Sequence, residues 1–178
     1  MKSRRSSAVS NAGPLIHLSR AGLLHLLKQL YGQVLVPEAV KVEVVKRGKR
    51  MGFADALQVE NALSEGWIRV EETEIPKEFA STADTAGLDR AEAAVIHHAY
   101  RAGITALLDD EAARLFARTL GVEVRGSIGV ILEALKRRLT TPREALEGLE
   151  KLSEVMYLSM NTYRLARREI ERMSAAGQ

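Results

Sequence analysis

Asn11, Glu43, Glu92, Asp109 and Asp110 are the side chains whose types and placement suggest chemistry. Asn11 directly follows the β-like run Ala8-Val9-Ser10, and the Asp109-Asp110 pair directly follows Thr105-Ala106-Leu107-Leu108. Glu43 lies in a helical pattern among Val40, Val42, Val44 and Val45, and Glu92 precedes Val95 and Ile96 by three and four residues. Both glutamates therefore border an apolar helix face. A carboxylate at a core boundary is costly unless something pairs with it. A divalent cation would do so, and Mg²⁺ or Mn²⁺ prefers such hard oxygen ligands.

Each of these residues also has a plainer use. Asn11 suits the cap of a helix starting near Pro14. Asp89 and Glu92 have capping-box spacing, Asp109 or Asp110 suits the start of the helix at Glu111, and Ser127 suits the cap of the helix after it. Glu43 has a stem long enough to reach solvent past the valines. Joint placement has to decide between the two readings.

The elements that must position them alternate. The other β-like runs are Val34-Leu35-Val36, Trp67-Ile68-Arg69-Val70 and Val122-Glu123-Val124. Apolar spacing predicts helices over 15–30, 37–45, 53–63, 89–102, 111–120 and 127–138. Such alternation predicts an α/β domain with a mostly parallel sheet covered on both faces. Ligands of open α/β sheets bind at the carboxyl ends of the strands. If the first and fourth strands are neighbours, Asn11 and the aspartate pair lie side by side. Residues 71–87, acidic and then rich in Ser and Thr, read as a mobile loop. After Leu139, Thr141-Pro142 opens a predicted helical hairpin over 142–156 and 160–173. The expected organisation is a domain over 1–140 with a C-terminal helical extension over 141–178.

Composition narrows the chemistry. The chain has 178 residues and no cysteine, which excludes disulfides and thiolate metal sites and suits a cytoplasmic protein. No apolar run reaches the roughly 18 residues of a membrane span, and Met1–Ser7 is not followed by the apolar stretch of a secretion signal. No two of His17, His25, His97 and His98 are spaced i, i+4, so no zinc site is expected, and His97-His98 reads as helix surface. Phosphate-binding glycine loops are absent. The net charge of +3 is too small to announce nucleic-acid binding alone. Basic clusters such as Lys46, Arg47, Lys49 and Arg50 read first as solvated faces. Lys46, Arg47 and Arg114, with Ser127 at a helix start, are the candidates for contacts to a phosphate backbone. Aromatic residues make up 4 % of the chain, so extended base stacking is not expected. A receiver-type phosphoacceptor is disfavoured because Arg125-Gly126-Ser127 stands where that chemistry needs a lysine.

Val9-Ser10-Asn11-Ala12-Gly13-Pro14-Leu15-Ile16 resembles the opening strand and turn of PIN domains, nearest a prokaryotic subgroup related to VapC-type toxins. Val36-Pro37-Glu38-Ala39-Val40 with Glu43, Leu88-Asp89-Arg90-Ala91-Glu92, Leu107-Leu108-Asp109-Asp110-Glu111 and Gly121-Val122-Glu123-Val124-Arg125-Gly126-Ser127 resemble the later blocks, in order, over about residues 8 to 140. The resemblance implies a three-layer α/β/α sandwich with a parallel five-stranded sheet of order 3-2-1-4-5. It implies a Mg²⁺- or Mn²⁺-dependent endoribonuclease, the toxin of a type II toxin–antitoxin pair, with RNA as substrate, an antitoxin protein as partner, and a homodimeric assembly. Carried over by position, Asn11, Glu43, Glu92 and Asp110 are catalytic, and Glu43, Glu92, Asp109 and Asp110 hold metal. One departure matters: Asn11 stands where the family usually has Asp, which removes a negative charge. The alternative implied by that departure is a non-catalytic PIN-like module that binds RNA or protein through a decayed metal site.

Overall fold

The structure is a computed structural model that describes residues 7–51 and 54–176, leaving out the side chains of residues 47–51, 54–55 and 176. Five short strands form one parallel sheet: β1 (Ala8–Ser10), β2 (Val34–Pro37), β3 (Ile68–Glu71), β4 (Thr105–Leu107) and β5 (Val124–Arg125). Their order is β3-β2-β1-β4-β5, as expected. β1, β2 and β4 are buried at every position. A parallel strand covered by helices on both faces needs such an uninterrupted apolar run.

The helices in chain order are α1 (Ala12–Arg20), α2 (His25–Tyr31), α3 (Glu38–Met51), α4 (Ala54–Ser64), α5 (Lys77–Thr85), α6 (Arg90–Ala102), α7 (Glu111–Thr119), α8 (Ser127–Lys136), α9 (Pro142–Val155) and α10 (Met160–Ala176). Four of them, α1, α2, α3 and α5, correct the sequence reading. The single helix expected over 15–30 is two, because Gly22 adopts φ +71°. The Leu23 N–H then donates back to the Leu18 carbonyl at 2.7 Å, which closes α1 in a Schellman-type turn. Pro37 ends β2 rather than opening α3, which runs on beyond the expected Val45 to Met51.

Residues 71–87 are not a loop throughout, since α5 occupies 77–85. Its Thr82 and Thr85 hydroxyls donate to the carbonyls of Glu78 and Ser81, four residues back. Threonines are absorbed into a helix in this way. Phe79 and Ala83, one turn apart, supply its apolar face. The Phe79 ring stands edge-on to His97 and Phe116 at 5.0 and 6.0 Å. His97 is accordingly buried, not on the helix surface.

The last two helices complete the core. Thr141 and Glu144 form the expected capping box at the start of α9. Ala145, Leu149 and Leu152 of α9, with Ala166 and Ile170 of α10, belong to the same buried cluster as β1 and β4. At Gly148 the packing is tight enough that a Cβ would lie 3.2 Å from Leu23 Cδ1 and 3.4 Å from Ile131 Cδ1. Among the described residues, no helix is long and apolar enough to cross a membrane.

Leu149 is fully buried. Leu149→Ala is expected to lower unfolding stability by about 2–5 kcal/mol. Urea unfolding should remain one cooperative transition; separate melting of the C-terminal helices would contradict the shared core.

Candidate functional site

All five strands run in one direction, so their carboxyl ends share an edge. β1 pairs with β2 on one side and β4 on the other. Chain order reverses between β1 and β4, and such a switch point opens a crevice at the carboxyl edge. Asn11 leaves β1 there, and its backbone N–H donates to the Leu107 carbonyl at 3.0 Å. Asp109 and Asp110 leave β4 beside it.

Asn11 occupies the cap position of α1, yet its side chain makes no capping bond. Its Oδ1 is buried without a hydrogen-bond partner. A buried acceptor left unmet costs about 1–3 kcal/mol. The capping role therefore does not explain this residue, and the oxygen is available to a cation or water.

The aspartate pair divides. Asp110 is exposed and caps α7, with Oδ1 accepting from the Ala113 N–H at 2.9 Å. Asp109 turns inward. Its Oδ2 accepts from His17 Nδ1 and from the Ser127 hydroxyl, each at 2.7 Å, and its Oδ1 accepts from the Ser127 N–H at 2.7 Å. Burial alone would raise the Asp109 pKa, but these hydrogen bonds outweigh it and hold the carboxyl below the usual aspartate range. Both Asp109 oxygens are thus occupied, so Asp110 is the carboxylate of the pair that faces the open edge. Ser127 is the first residue of α8 rather than its cap, and it is fully buried. Its N–H and hydroxyl are both committed to Asp109, which corrects the expectation that it contacts phosphate.

Glu92 gathers the remaining acids. It completes a capping box with Asp89: its own N–H donates to Asp89 Oδ1 at 2.7 Å, and its Oε2 accepts from the Asp89 N–H at 3.0 Å. Its pKa is raised, first by burial and then by the negative charges of Asp89, Asp110 and Glu43, against the lowering effect of the Asp89 N–H. Helices α3, α6 and α7 therefore bring Glu43, Glu92 and Asp110 into one field, with Asp89 at its margin. Like charges held together at the sheet edge that also carries the unmet Asn11 oxygen are a donor set that a hard cation would relieve. Among the described residues, no three acidic or imidazole groups enclose a metal-sized space as they stand. Side-chain rotation would have to draw them in.

The basic candidates spread more widely. Lys46 is exposed on α3, three residues beyond Glu43. The Arg47 side chain lies outside the described residues. Arg114, one turn into α7, has a buried Nε without a partner.

Residues 7–172 match the family model described as a PIN domain. The chain belongs to the PIN-domain family. Among solved structures, the crystal structure of PAE2754 from Pyrobaculum aerophilum is similar at 15 % identity and a TM-score of 0.45, covering 65 % of this chain and 98 % of that one. No curated protein matches the sequence.

In this PIN domain, His17 and Asp89 join the site without having been singled out from the sequence. Asp89 appeared in the sequence as half of a capping box and within the third family-like block, without a site role. His17 meets an aspartate 92 residues away, and no local spacing signals that contact. The nearest hint is small: Gly13 and His17 share a helix face, and a Cβ on Gly13 would touch both Asp109 and His17.

The depressed Asp109 pKa fixes the sign of its linkage to folding. A folded-state pKa below the unfolded value of about 3.9 contributes stability above that pH. This stability is lost as pH falls through the folded pKa. Asp109→Asn is expected to cost about 1–3 kcal/mol at pH 7. Denaturant titrations from pH 7 to pH 2 should show the gap to wild type shrinking below about pH 4; a gap independent of pH would count against the anchored carboxylate.

Proposed function

We propose that this PIN domain is a Mg²⁺- or Mn²⁺-dependent endoribonuclease acting at the β1–β4 crevice. One observation carries the reading: Glu92 is a half-buried acid in the field of Asp110, Glu43 and Asp89, and the carboxyl edge from which Asp110 leaves also carries the unmet Oδ1 of Asn11. Glu43, Glu92 and Asp110 would hold the cation, with Asn11 as a neutral oxygen donor. A bound divalent ion supplies a water of lowered pKa and stabilises charge on the departing oxygen. Asp109 was included in the ligand set by resemblance, but its role here is to fix the backbone from which Asp110 projects. Lys46 and Arg114 would neutralise phosphates flanking the scissile bond, and Arg47 is assigned the same role from the sequence.

The caps allow the acids to be tested without disturbing the helices. Asn serves an N-cap as well as Asp does, and Gln fits a capping box as Glu does. Asp110→Asn and Glu92→Gln should therefore fold normally while reducing Mn²⁺-dependent cleavage of single-stranded and structured RNA to background. Because Glu92 keeps its proton to a higher pH than an ordinary glutamate, Mn²⁺ affinity should still be rising above about pH 4.3. Calorimetry across pH should show that rise in wild type and its loss in Glu92→Gln. Cleavage that survives both substitutions would end the proposal.

A second reading has its own support. Asn11 replaces the Asp usual in the family, and the acids do not close on one another as they stand. On that reading the module binds RNA or protein without cutting. Mn²⁺ titration separates the two: a working site binds Mn²⁺ in wild type, whereas a decayed one gains measurable binding only in Asn11→Asp. The toxin role, the antitoxin partner and the homodimer extend the proposal by family resemblance. Co-purification with the product of an adjacent small gene would test the first two, and sedimentation the third.

A further inference from the structure

A cleft of about 710 Å³ adjoins the acidic edge, between α7, the start of α8 and the α9–α10 connection. Its wall on the α7 side carries Glu111, Arg114 and Arg118 on one helix face. Glu111 lies next to Asp110, and the two arginines follow away from the acids, one turn or about 6 Å apart. Neither arginine has an ion-pair partner among the described residues, and Arg114 Nε is buried and unmet. The other charges in the cleft are Glu111, which stands beside Asp110 at the acidic end, Asp109 and Arg125. Asp109 is saturated by His17 and Ser127, and Arg125 is balanced by Glu123 and Glu133 at 2.9 and 3.6 Å. What remains is a cationic track leading out of an acidic centre.

Tyr157 stands on the opposite wall and is 91 % exposed. Its neighbours hold it there. Met156 is extended at φ −138°, ψ 153°, and Met156 and Leu158 both pack against the core. Ser159 is tied to Thr162, whose N–H donates to its Oγ at 3.1 Å. Side chains on extended backbone alternate in direction, so anchoring 156 and 158 turns 157 outward. A chain this poor in aromatics thus displays one on a fixed backbone across a groove from two uncommitted arginines.

We propose that this cleft binds a single-stranded RNA segment, with phosphates on Arg114 and Arg118 and one base stacked on Tyr157. The proposal rests on RNA being the substrate and adds how the strand is held. A free base face meets Tyr157 only in an unpaired strand, so the cleft selects single strands over duplex. The floor of the cleft has apolar residues such as Ile128, Leu132 and Leu158, but away from Glu111 at the acidic end its facing walls present two guanidinium cations and one exposed ring, the set that binds single strands.

Binding of a fluorescein-labelled oligouridylate and of a duplex of equal length, followed by anisotropy in EDTA, tests this without any cleavage. Tyr157→Ala should weaken single-strand binding roughly 5- to 100-fold, Tyr157→Trp should retain it, and the duplex should bind more weakly and be unaffected by either change. Arg114→Ala/Arg118→Ala should flatten the slope of log affinity against log salt by about 1.4. Tyr157 is exposed, so unchanged thermal melting should accompany its substitution. Wild-type affinity in Tyr157→Ala, equal binding of duplex, or loss of a protein partner with RNA binding intact overturns the proposal. Mn²⁺-dependent cleavage is scored separately. Tyr157-dependent binding without cleavage would refute the nuclease reading alone, and cleavage with an unchanged KM in Tyr157→Ala would refute the cleft alone.

Discussion

The largely buried carboxylate of Asp109 is the constraint on which the working edge depends. Three hydrogen bonds of 2.7 Å converge on it from two helices that are remote in sequence, α1 through His17 and α8 through Ser127. A buried charge without such partners would be strongly destabilising. With them, it fixes the end of β4 relative to the starts of α1 and α8. Two glycines make the approach feasible: a Cβ on Gly126 would lie 3.1 Å from Asp109 Oδ1 and 3.3 Å from the Leu108 carbonyl, and one on Gly13 would lie 3.6 Å from Asp109. Because Asp109 turns in, the next residue turns out. Asp110 thus reaches the open edge, and α7 begins in a direction that presents Arg114 and Arg118 to the cleft.

Much of this was legible in the sequence, and what was not has a physical reason. The strands could be read because parallel strands are short, apolar and separated by amphipathic helices. The capping boxes at Asp89 and Thr141 could be read because they are local. The break at Gly22 could not, since leucines continue the helical spacing across it. Helix α5 was hidden by its own Ser and Thr content, although the Thr82 and Thr85 hydroxyls find their partners within the helix. His97 looked like surface because the Phe79 that covers it arrives from a segment read as loop.

The site was legible as a set of residues and not as a division of labour. Asp109 and Asp110 are indistinguishable in a string, since both follow the same strand and precede the same helix. Only the distant partners of Asp109 separate them. Ser127 was misassigned for the same reason, as its hydroxyl is committed to a residue 18 positions earlier. Asn11 was read as either a helix cap or a metal-site oxygen, and the structure narrows its capping role. It sits at a cap position, makes no capping bond, and keeps a buried oxygen unmet.

That unmet oxygen bears on how the acids balance. Glu92 already feels three negative neighbours. An aspartate at position 11 would add a fourth beside an acid whose proton is already held more tightly than usual. An amide there supplies an oxygen donor without that repulsion. The same substitution removes a charge that would have attracted a cation, so the site trades electrostatic pull for a less strained resting state. On the proposed reading, Glu43, Glu92 and Asp110 would supply the negative charge that holds an ion. Since each of Glu92 and Asp110 also gives one oxygen to a helix cap, an ion held there as proposed would take mainly the oxygens the caps leave over. The geometry of the caps, more than the count of acids, therefore sets how the site can close.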